Sequence, residues 1–282
     1  MKNLLAIIND PANSKDFIEY TYQMAEDLNY TPHFLYTQDP AVYAMSSGAI
    51  RPGANPIGTE IEVDRKNAIR LIQEKIRTVR KELSNDVSFN FNVETGAADL
   101  VINRYISDKK AEMAVLEGRD KNGAWTSDTA NSGIIQKINC PGWMIPYRMS
   151  YDPYQKIIYA TDYNETDINN LKNLINLTGR FSPEITALHI SDSDDFEQKT
   201  KEKGFMEIVK KELGYEKILV KTLVDKGKKG PGENINKYAI DNGANLIVLL
   251  KENVNFIKKI FKPGQTKKIL KTAKLPVLVY QE

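Results

Sequence analysis

The same sequence pattern occurs twice in this chain, about half its length apart. An apolar run that ends in an acid occupies residues 4–10, LLAIIND, and returns at residues 157–162, IIYATD. Each run leads into a segment with helical periodicity. The halves also end alike, in CPGWMI at residues 140–145 and in LPVLVY at residues 275–280. Self-similarity over half a chain predicts two copies of one α/β domain.

Length and composition agree with two ordinary globular domains. At 282 residues the chain has room for two domains, which we place at residues 1–148 and 154–282. The formal net charge is only +2. Because no strong overall field would attract nucleic acid or an anionic membrane, we expect neither as a partner.

The single cysteine and the hydropathy pattern favour a cytoplasmic protein. Cys140 has no second cysteine in the chain with which to form a disulfide. No run approaches the ~18 apolar residues of a membrane span. Cys140 itself is interpreted as a small structural hydrophobe, with a redox-sensing thiol as the alternative.

Strands and helices alternate in both halves. We predict strands at residues 4–8, 33–36, 87–93, 113–116 and 143–146, and again at 157–161, 185–190, 218–224, 246–250 and 277–280. We predict helices at residues 14–29, 60–83, 97–106 and 129–138, and again at 166–177, 196–213, 233–242 and 266–272. This alternation predicts parallel strands in two doubly wound α/β domains. Residues 37–58 are rich in Pro and Gly and are predicted to form a long loop. This loop either covers a cleft or contacts a partner, or it is a plain solvent-exposed insertion.

Ligands of doubly wound sheets bind at the carboxyl ends of strands. That rule selects Asp10 and Asp162, which follow the first strand of each half, and the loops after each fourth strand. An alternative applies to both acids, because Asp is favoured in turns whether or not a ligand binds.

Several features in a fixed order resemble the universal stress protein family in its tandem two-domain form. They are the acid after the first strand, the second strand Leu188-His189-Ile190, Gly96 and Gly227 before the third helices, and Pro141 and Pro276 before the last strands. The resemblance spans essentially the whole chain, and the second copy is closer to the family pattern than the first.

The resemblance implies two tandem adenine nucleotide alpha hydrolase-like domains, each with a five-stranded parallel sheet between helices. Many members of the family bind ATP. In those members the acid after the first strand contacts the adenine end, and a glycine-rich loop ending in Gly-Ser/Thr wraps the ribose and phosphates.

That glycine-rich loop departs from the family pattern in both halves. The first half has Gly118 and Thr129, but Asp128 stands where the last glycine is expected. The second half has Gly264 and Thr266, with no glycine between the fourth strand and Gly264. Thr129 and Thr266 are also candidate helix N-caps, which is a structural role that needs no ligand.

These residues predict a non-catalytic, partner-binding or regulatory stress protein with weakened nucleotide sites. The alternative is an ATP-binding regulator that uses mainly the second domain. ATP is therefore the candidate cofactor, and the sequence requires none. An enzyme ranks last, because no nucleophile or general base is identifiable. The last strand of each half is apolar, and pairing these two strands would protect both sheet edges, so we predict a pseudo-symmetric pair of domains. Protein partners are expected but not identified by the sequence, and a homodimer is an open alternative.

Overall fold

The computed structural model describes residues 2–40, 56–83, 90–117, 134–135, 137–225, 230–250 and 275–281. Contacts divide the chain into two compact units. The first holds Met1–Glu117, Gly133–Gly142 and Tyr147–Tyr151, and the second holds Trp143–Pro146 and the chain from Asp152 onward. The last strand of the first half thus groups with the second unit.

The first unit is an α/β unit with parallel strands. Its elements are β1 (Lys2–Ile8), a 3-10 turn (Pro11–Asn13), α1 (Lys15–Leu28), β2 (Tyr30–Gln38), α2 (Pro56–Leu83), β3 (Asn90–Thr95), α3 (Ala98–Lys109) and β4 (Ala111–Glu117). The strand order is β3-β2-β1-β4, and each of these neighbouring pairs is parallel.

The second unit repeats this plan. Its first strand is β5 (Gly142–Ile145), of which the residues from Trp143 onward belong to this unit. The other elements are β6 (Lys156–Ala160), α4 (Glu165–Thr178), β7 (Glu184–Ser191), α5 (Phe196–Leu213), β8 (Ile218–Val224), α6 (Pro231–Asp241), β9 (Leu246–Leu250) and β10 (Val277–Tyr280). The strand order is β5-β10-β9-β6-β7-β8, and the strands from β10 to β8 are parallel. The predicted five-stranded parallel sheet is therefore confirmed here.

The central strands are apolar because helices cover both faces of such a sheet. Leu4, Leu5 and Ala6 in β1 are fully buried, and so are Leu246, Val248 and Leu249 in β9. These continuous runs are what made β1, β6 and β9 recognisable from sequence. In each unit the first strand lies between the second and the fourth, so its carboxyl end lies at the point where the strand order reverses.

Several boundaries differ from the predicted ones. The second strand runs Tyr30–Gln38 rather than 33–36, since its pairing with β1 starts at Tyr30 and its pairing with β3 runs to Gln38. α2 begins at Pro56, where proline is tolerated in a first turn. The predicted helix 266–272, most of the predicted helix 129–138 and residues 41–55 of the predicted loop lie outside the described residues.

Candidate functional site

The candidate site follows β6, the central strand of the second unit. β6 ends at Ala160, and Thr161, Asp162, Tyr163 and Asn164 connect it to α4. The backbone N–H of Thr161 donates to the Leu188 carbonyl at 3.1 Å, so the connection begins by extending the ladder with β7. Asp162 therefore leaves the sheet at its point of reversal.

A buried carboxylate holds this connection in place. Asp167 is fully buried in the first turn of α4. It accepts hydrogen bonds from the Tyr159 hydroxyl at 2.9 Å, the Thr161 hydroxyl at 2.7 Å and the Asn164 backbone N–H at 2.9 Å. Asn164 and Asp167 also form a reciprocal capping box at the start of α4. The carboxylate thus ties the end of β6 to the start of the helix.

Tyr163 adopts a left-handed backbone conformation, with φ of 62°. Its N–H donates to the Thr161 hydroxyl at 2.9 Å, which stabilises this uncommon geometry. The phenol oxygen lies 2.7 Å from Thr222 Oγ1 on β8. The ring lies against His189 and Phe205, with centroid separations of 4.7 and 5.0 Å. The Tyr163 side chain is thereby held beside His189 on β7 and Thr222 on β8.

Asp162 and His189 form a partly exposed pair. The Asp162 side chain is 48% exposed, whereas that of His189 is 16% exposed. His189 Nδ1 lies 2.8 Å from the Thr161 carbonyl and 3.5 Å from Asp162 Oδ1. Because a carbonyl only accepts, Nδ1 carries the proton and Nε2 is the atom that can gain one. At 3.5 Å the contact with Asp162 acts chiefly through charge.

The environment of His189 raises its pKa. Burial alone lowers the pKa of the ring, but the contact with Asp162, the Thr161 carbonyl and the charge of Asp167 outweigh it. The other histidine, His33 on β2, behaves in the opposite way. Burial and the charge of Lys109 lower the pKa of His33.

The carboxyl end of β8 carries a second buried acid, Asp225, which sequence reasoning missed. Its N–H donates to the Ser191 carbonyl at 2.8 Å, and its carboxylate accepts from the Gly230 N–H at 2.8 Å. Gly230 precedes α6 and has φ of 86°. Asp225 therefore orders the entrance to α6, and Gly227, which belongs to the family resemblance, lies outside the described residues.

Asp10 follows β1 in the first unit but has a different environment. Its Oδ1 accepts from the Ala12 N–H at 2.9 Å, and its Oδ2 accepts from the Asn13 side-chain amide at 2.9 Å. Both oxygens thus bind the 3-10 turn that Asp10 caps. This is the turn-forming role given above as the alternative to ligand contact.

The remaining predicted ligand residues belong to the glycine-rich loops. Gly118, Thr129, Gly264 and Thr266 all lie outside the described residues. Cys140 is described, and it is buried. Burial raises the pKa of its thiol to about 12, which suppresses the reactive thiolate and favours the structural interpretation.

Asp167 and Tyr163 are two further site residues, besides Asp225, that sequence reasoning missed. The signal for Asp167 was present, because Asn164 and Asp167 stand three residues apart at a helix start, as capping pairs do. No comparable signal marked Tyr163. Its positive φ is uncommon for a bulky residue and follows from the contacts around it.

Within the described residues, no group of three or more histidine, cysteine, aspartate or glutamate side chains is arranged to hold a metal ion. In the same part of the chain, no helix is both long enough and apolar enough to span a membrane.

Comparison with known proteins bears on the second half most directly. The universal stress protein family model matches residues 153–281. A universal stress protein of Methanocaldococcus jannaschii is 28% identical over 154 residues, which cover 45% of this chain and 94% of that protein.

Solved structures extend the likeness in fold to the whole chain. A universal stress protein from Archaeoglobus fulgidus has a TM-score of 0.66 at 12% identity, covering 99% of this chain and 96% of that one. The cytoplasmic domain of a prokaryotic cation chloride cotransporter has a TM-score of 0.55 at 11% identity, covering 99% and 94%. At these identities the likeness concerns the fold, and a tandem arrangement of two such domains accounts for its extent.

Proposed function

We propose that this chain is a universal stress protein and acts as a non-catalytic regulatory protein that recognises an adenine nucleotide through its second domain. The division into domains at residues 1–148 and 154–282 is part of this proposal. The family match over residues 153–281 supports placing ligand recognition in the second domain.

The observation that carries the proposal is the contrast between two acids at equivalent positions. Both oxygens of Asp10 accept hydrogen bonds from the turn that follows it. The Asp162 carboxylate is 48% exposed and lies beside His189 instead. A carboxylate that is oriented but still accessible can accept a hydrogen bond from a ligand amine or hydroxyl. Asp162 meets that requirement, whereas Asp10 is already engaged in its turn.

The surrounding hydrogen bonds support a preorganised site. Asp167 and Thr161 fix the path of the connection before any ligand arrives. A site that is already ordered loses less conformational entropy when it binds a ligand. A role without chemistry is also consistent with this arrangement, because no serine or cysteine nucleophile is placed against His189 in the described part of the chain.

Regulation through nucleotide binding requires a partner that reads the ligand state. We propose protein partners for this chain, a pseudo-symmetric pairing of its two domains, and a cytoplasmic location that suits its single cysteine. A protein that binds partners with no nucleotide at all is the second candidate, since Asp128 and the missing glycines weaken both phosphate loops.

Thermal unfolding with and without ATP and magnesium tests the proposal. Free nucleotide at about 100 times its Kd stabilises the native state by about 2.7 kcal/mol, which raises Tm by several degrees. We expect this increase for the wild type and for Asp10→Ala, and its loss in Asp162→Ala. The two alanine variants are matched, because each removes the acid that follows a first strand.

The other outcomes separate the candidate functions. An increase abolished by Asp10→Ala alone would place the site in the first domain and contradict the proposal. No increase with any variant at millimolar ATP would retire nucleotide recognition and leave partner binding as the function. Steady release of phosphate from ATP by the purified protein would contradict the non-catalytic part.

A further inference from the structure

We infer that His189 makes ligand binding at Asp162 dependent on pH, with the protonated ring and the ligand competing for the same carboxylate. This inference rests on the proposed function, because it concerns the regulation of the same site.

The geometry places a titratable ring beside the acid that is proposed to bind the ligand. His189 Nδ1 lies 3.5 Å from Asp162 Oδ1, and its bond to the Thr161 carbonyl at 2.8 Å prevents the ring from turning away. The Tyr163 ring lies against the imidazole with a centroid separation of 4.7 Å. Protonation therefore adds a positive charge at a fixed position beside Asp162, and the ring cannot reorient to avoid it.

Among the described residues, the other groups that act on His189 or lie beside it supply no competing positive charge. Asp167 approaches from α4 and contributes negative charge to the ring. The Glu202 carboxylate of α5 accepts a hydrogen bond from the Thr222 N–H at 3.1 Å, and its negative charge acts on the neighbouring Tyr163 hydroxyl. Glu202 is therefore a further acid near the His189 ring. The cross-strand neighbour of His189 on β8 is Thr222, which is uncharged. Protonation of His189 thus introduces a cation among acids, of which Asp162 is the exposed one.

The direction of the effect follows from the raised pKa of His189. A raised pKa means that the protonated ring is stabilised by its partners in the folded protein. This stabilisation is fully present below the ordinary histidine pKa and is lost as the pH rises through the raised value. At low pH the Asp162 carboxylate is attracted to the imidazolium and is a weaker hydrogen-bond acceptor for a ligand. At higher pH the carboxylate becomes available.

Adenosine is the appropriate probe, because it carries no phosphate. ATP would also be attracted to the imidazolium through its own negative charge, and that attraction would oppose the competition. For strict competition, linkage limits the fall in adenosine affinity to about tenfold for each pH unit below the pKa of His189. We expect a progressive fall as the pH is lowered through the raised pKa of His189.

Two measurements test the inference on the full chain. Because the chain has only two histidines, both ring signals can be followed by NMR, with His33→Gln used to assign them. We expect the pKa of His189 to fall in Asp162→Asn and to fall in the wild type when adenosine is added, while the pKa of His33 stays constant. We also expect adenosine affinity to be independent of pH in His189→Asn, whose amide can still donate to the Thr161 carbonyl.

Failure of the inference and failure of the proposed function are distinguishable. If adenosine binds but its affinity is constant with pH, or the pKa of His189 does not respond to it, the inference is overturned and nucleotide recognition stands. If ATP binds and adenosine does not, recognition rests on the phosphates, so the inference is again overturned. If neither binds at millimolar concentration, both fall. An unchanged pH profile in His189→Asn would also overturn the inference.

Discussion

The connections that follow β1 and β6 begin alike and end differently. Each leaves the central strand of its unit and places an acid, Asp10 or Asp162, two residues after that strand ends. In the first unit the next residue is Pro11, and the chain makes a 3-10 turn whose N–H and amide groups bind both oxygens of Asp10. In the second unit the next residue is Tyr163, and the chain takes a left-handed step.

This difference shows how a single position can decide the role of its neighbour. Proline fixes φ near −65°, so the connection after Asp10 cannot follow the path of the one after Asp162. In the second connection the Tyr163 N–H donates to the Thr161 hydroxyl, and the Asn164 N–H, the counterpart of the Ala12 N–H, donates to Asp167 instead of Asp162. Equivalent acids therefore differ in their hydrogen-bond partners because the residues that follow them have different backbone preferences.

The largest expected effect comes from giving the second connection the residue of the first. Tyr163→Pro imposes a negative φ where the native value is 62° and removes the N–H that binds Thr161. We expect a loss of more than about 4 kcal/mol in the free energy of unfolding, from the proline strain and the lost hydrogen bond together. Urea denaturation followed by circular dichroism measures this loss.

Two controls separate the backbone of Tyr163 from its ring. Tyr163→Asn removes the ring but keeps a residue that tolerates the left-handed region, so we expect a smaller loss than with proline. Pro11→Ala in the first unit should change stability by less than about 1 kcal/mol. Equal losses for proline and asparagine at residue 163 would show that the ring, not the backbone, sets the path of the connection.

The next effect concerns the buried carboxylate of the second unit. In Asp167→Ala the Tyr159 hydroxyl, the Thr161 hydroxyl and the Asn164 N–H lose their acceptor. We expect destabilisation by about 3 kcal/mol, because buried donors are left unpaired. Asp16→Ala is the matched variant in the first turn of α1, where the side chain is 42% exposed beside Arg148. Its loss should stay below about 1 kcal/mol. Similar losses for the two variants would refute the structural role assigned to Asp167.

The smallest effect is the one that most directly sharpens the comparison. Asp10→Ala removes the acceptor of the 3-10 turn and should lower the free energy of unfolding by about 1 kcal/mol. Asp162→Ala should change it by less than about 0.5 kcal/mol, because the residue is half exposed and does not hold its turn. Chemical denaturation of both variants and the wild type at one pH measures both changes. A larger loss for Asp162→Ala would mean that this acid is structural as well.

Much of the fold could be predicted from the residues because it depends on local patterns. The buried runs of β1, β6 and β9, and the periodicity of α1 and α2, come from the burial of apolar side chains on one or both faces. The predicted strand 33–36 is shorter than β2, because the ends of β2 include Thr31, Pro32 and Gln38, which carry no apolar signal. Its true length is decided by pairing with its neighbours on both sides.

The sequence by itself determined the repeated α/β plan, the two acids at the carboxyl ends of the first strands, and the likeness to a family of known fold. Only the tertiary structure decided that Asp10 is engaged by its own turn while Asp162 lies exposed beside His189. It also decided that Asp167 is buried among donors from β6 and the start of α4. The physical reason is that hydrogen-bond partners and exposure depend on residues that lie far apart in the chain, such as Asp162 and His189, which meet only when parallel strands align their carboxyl ends.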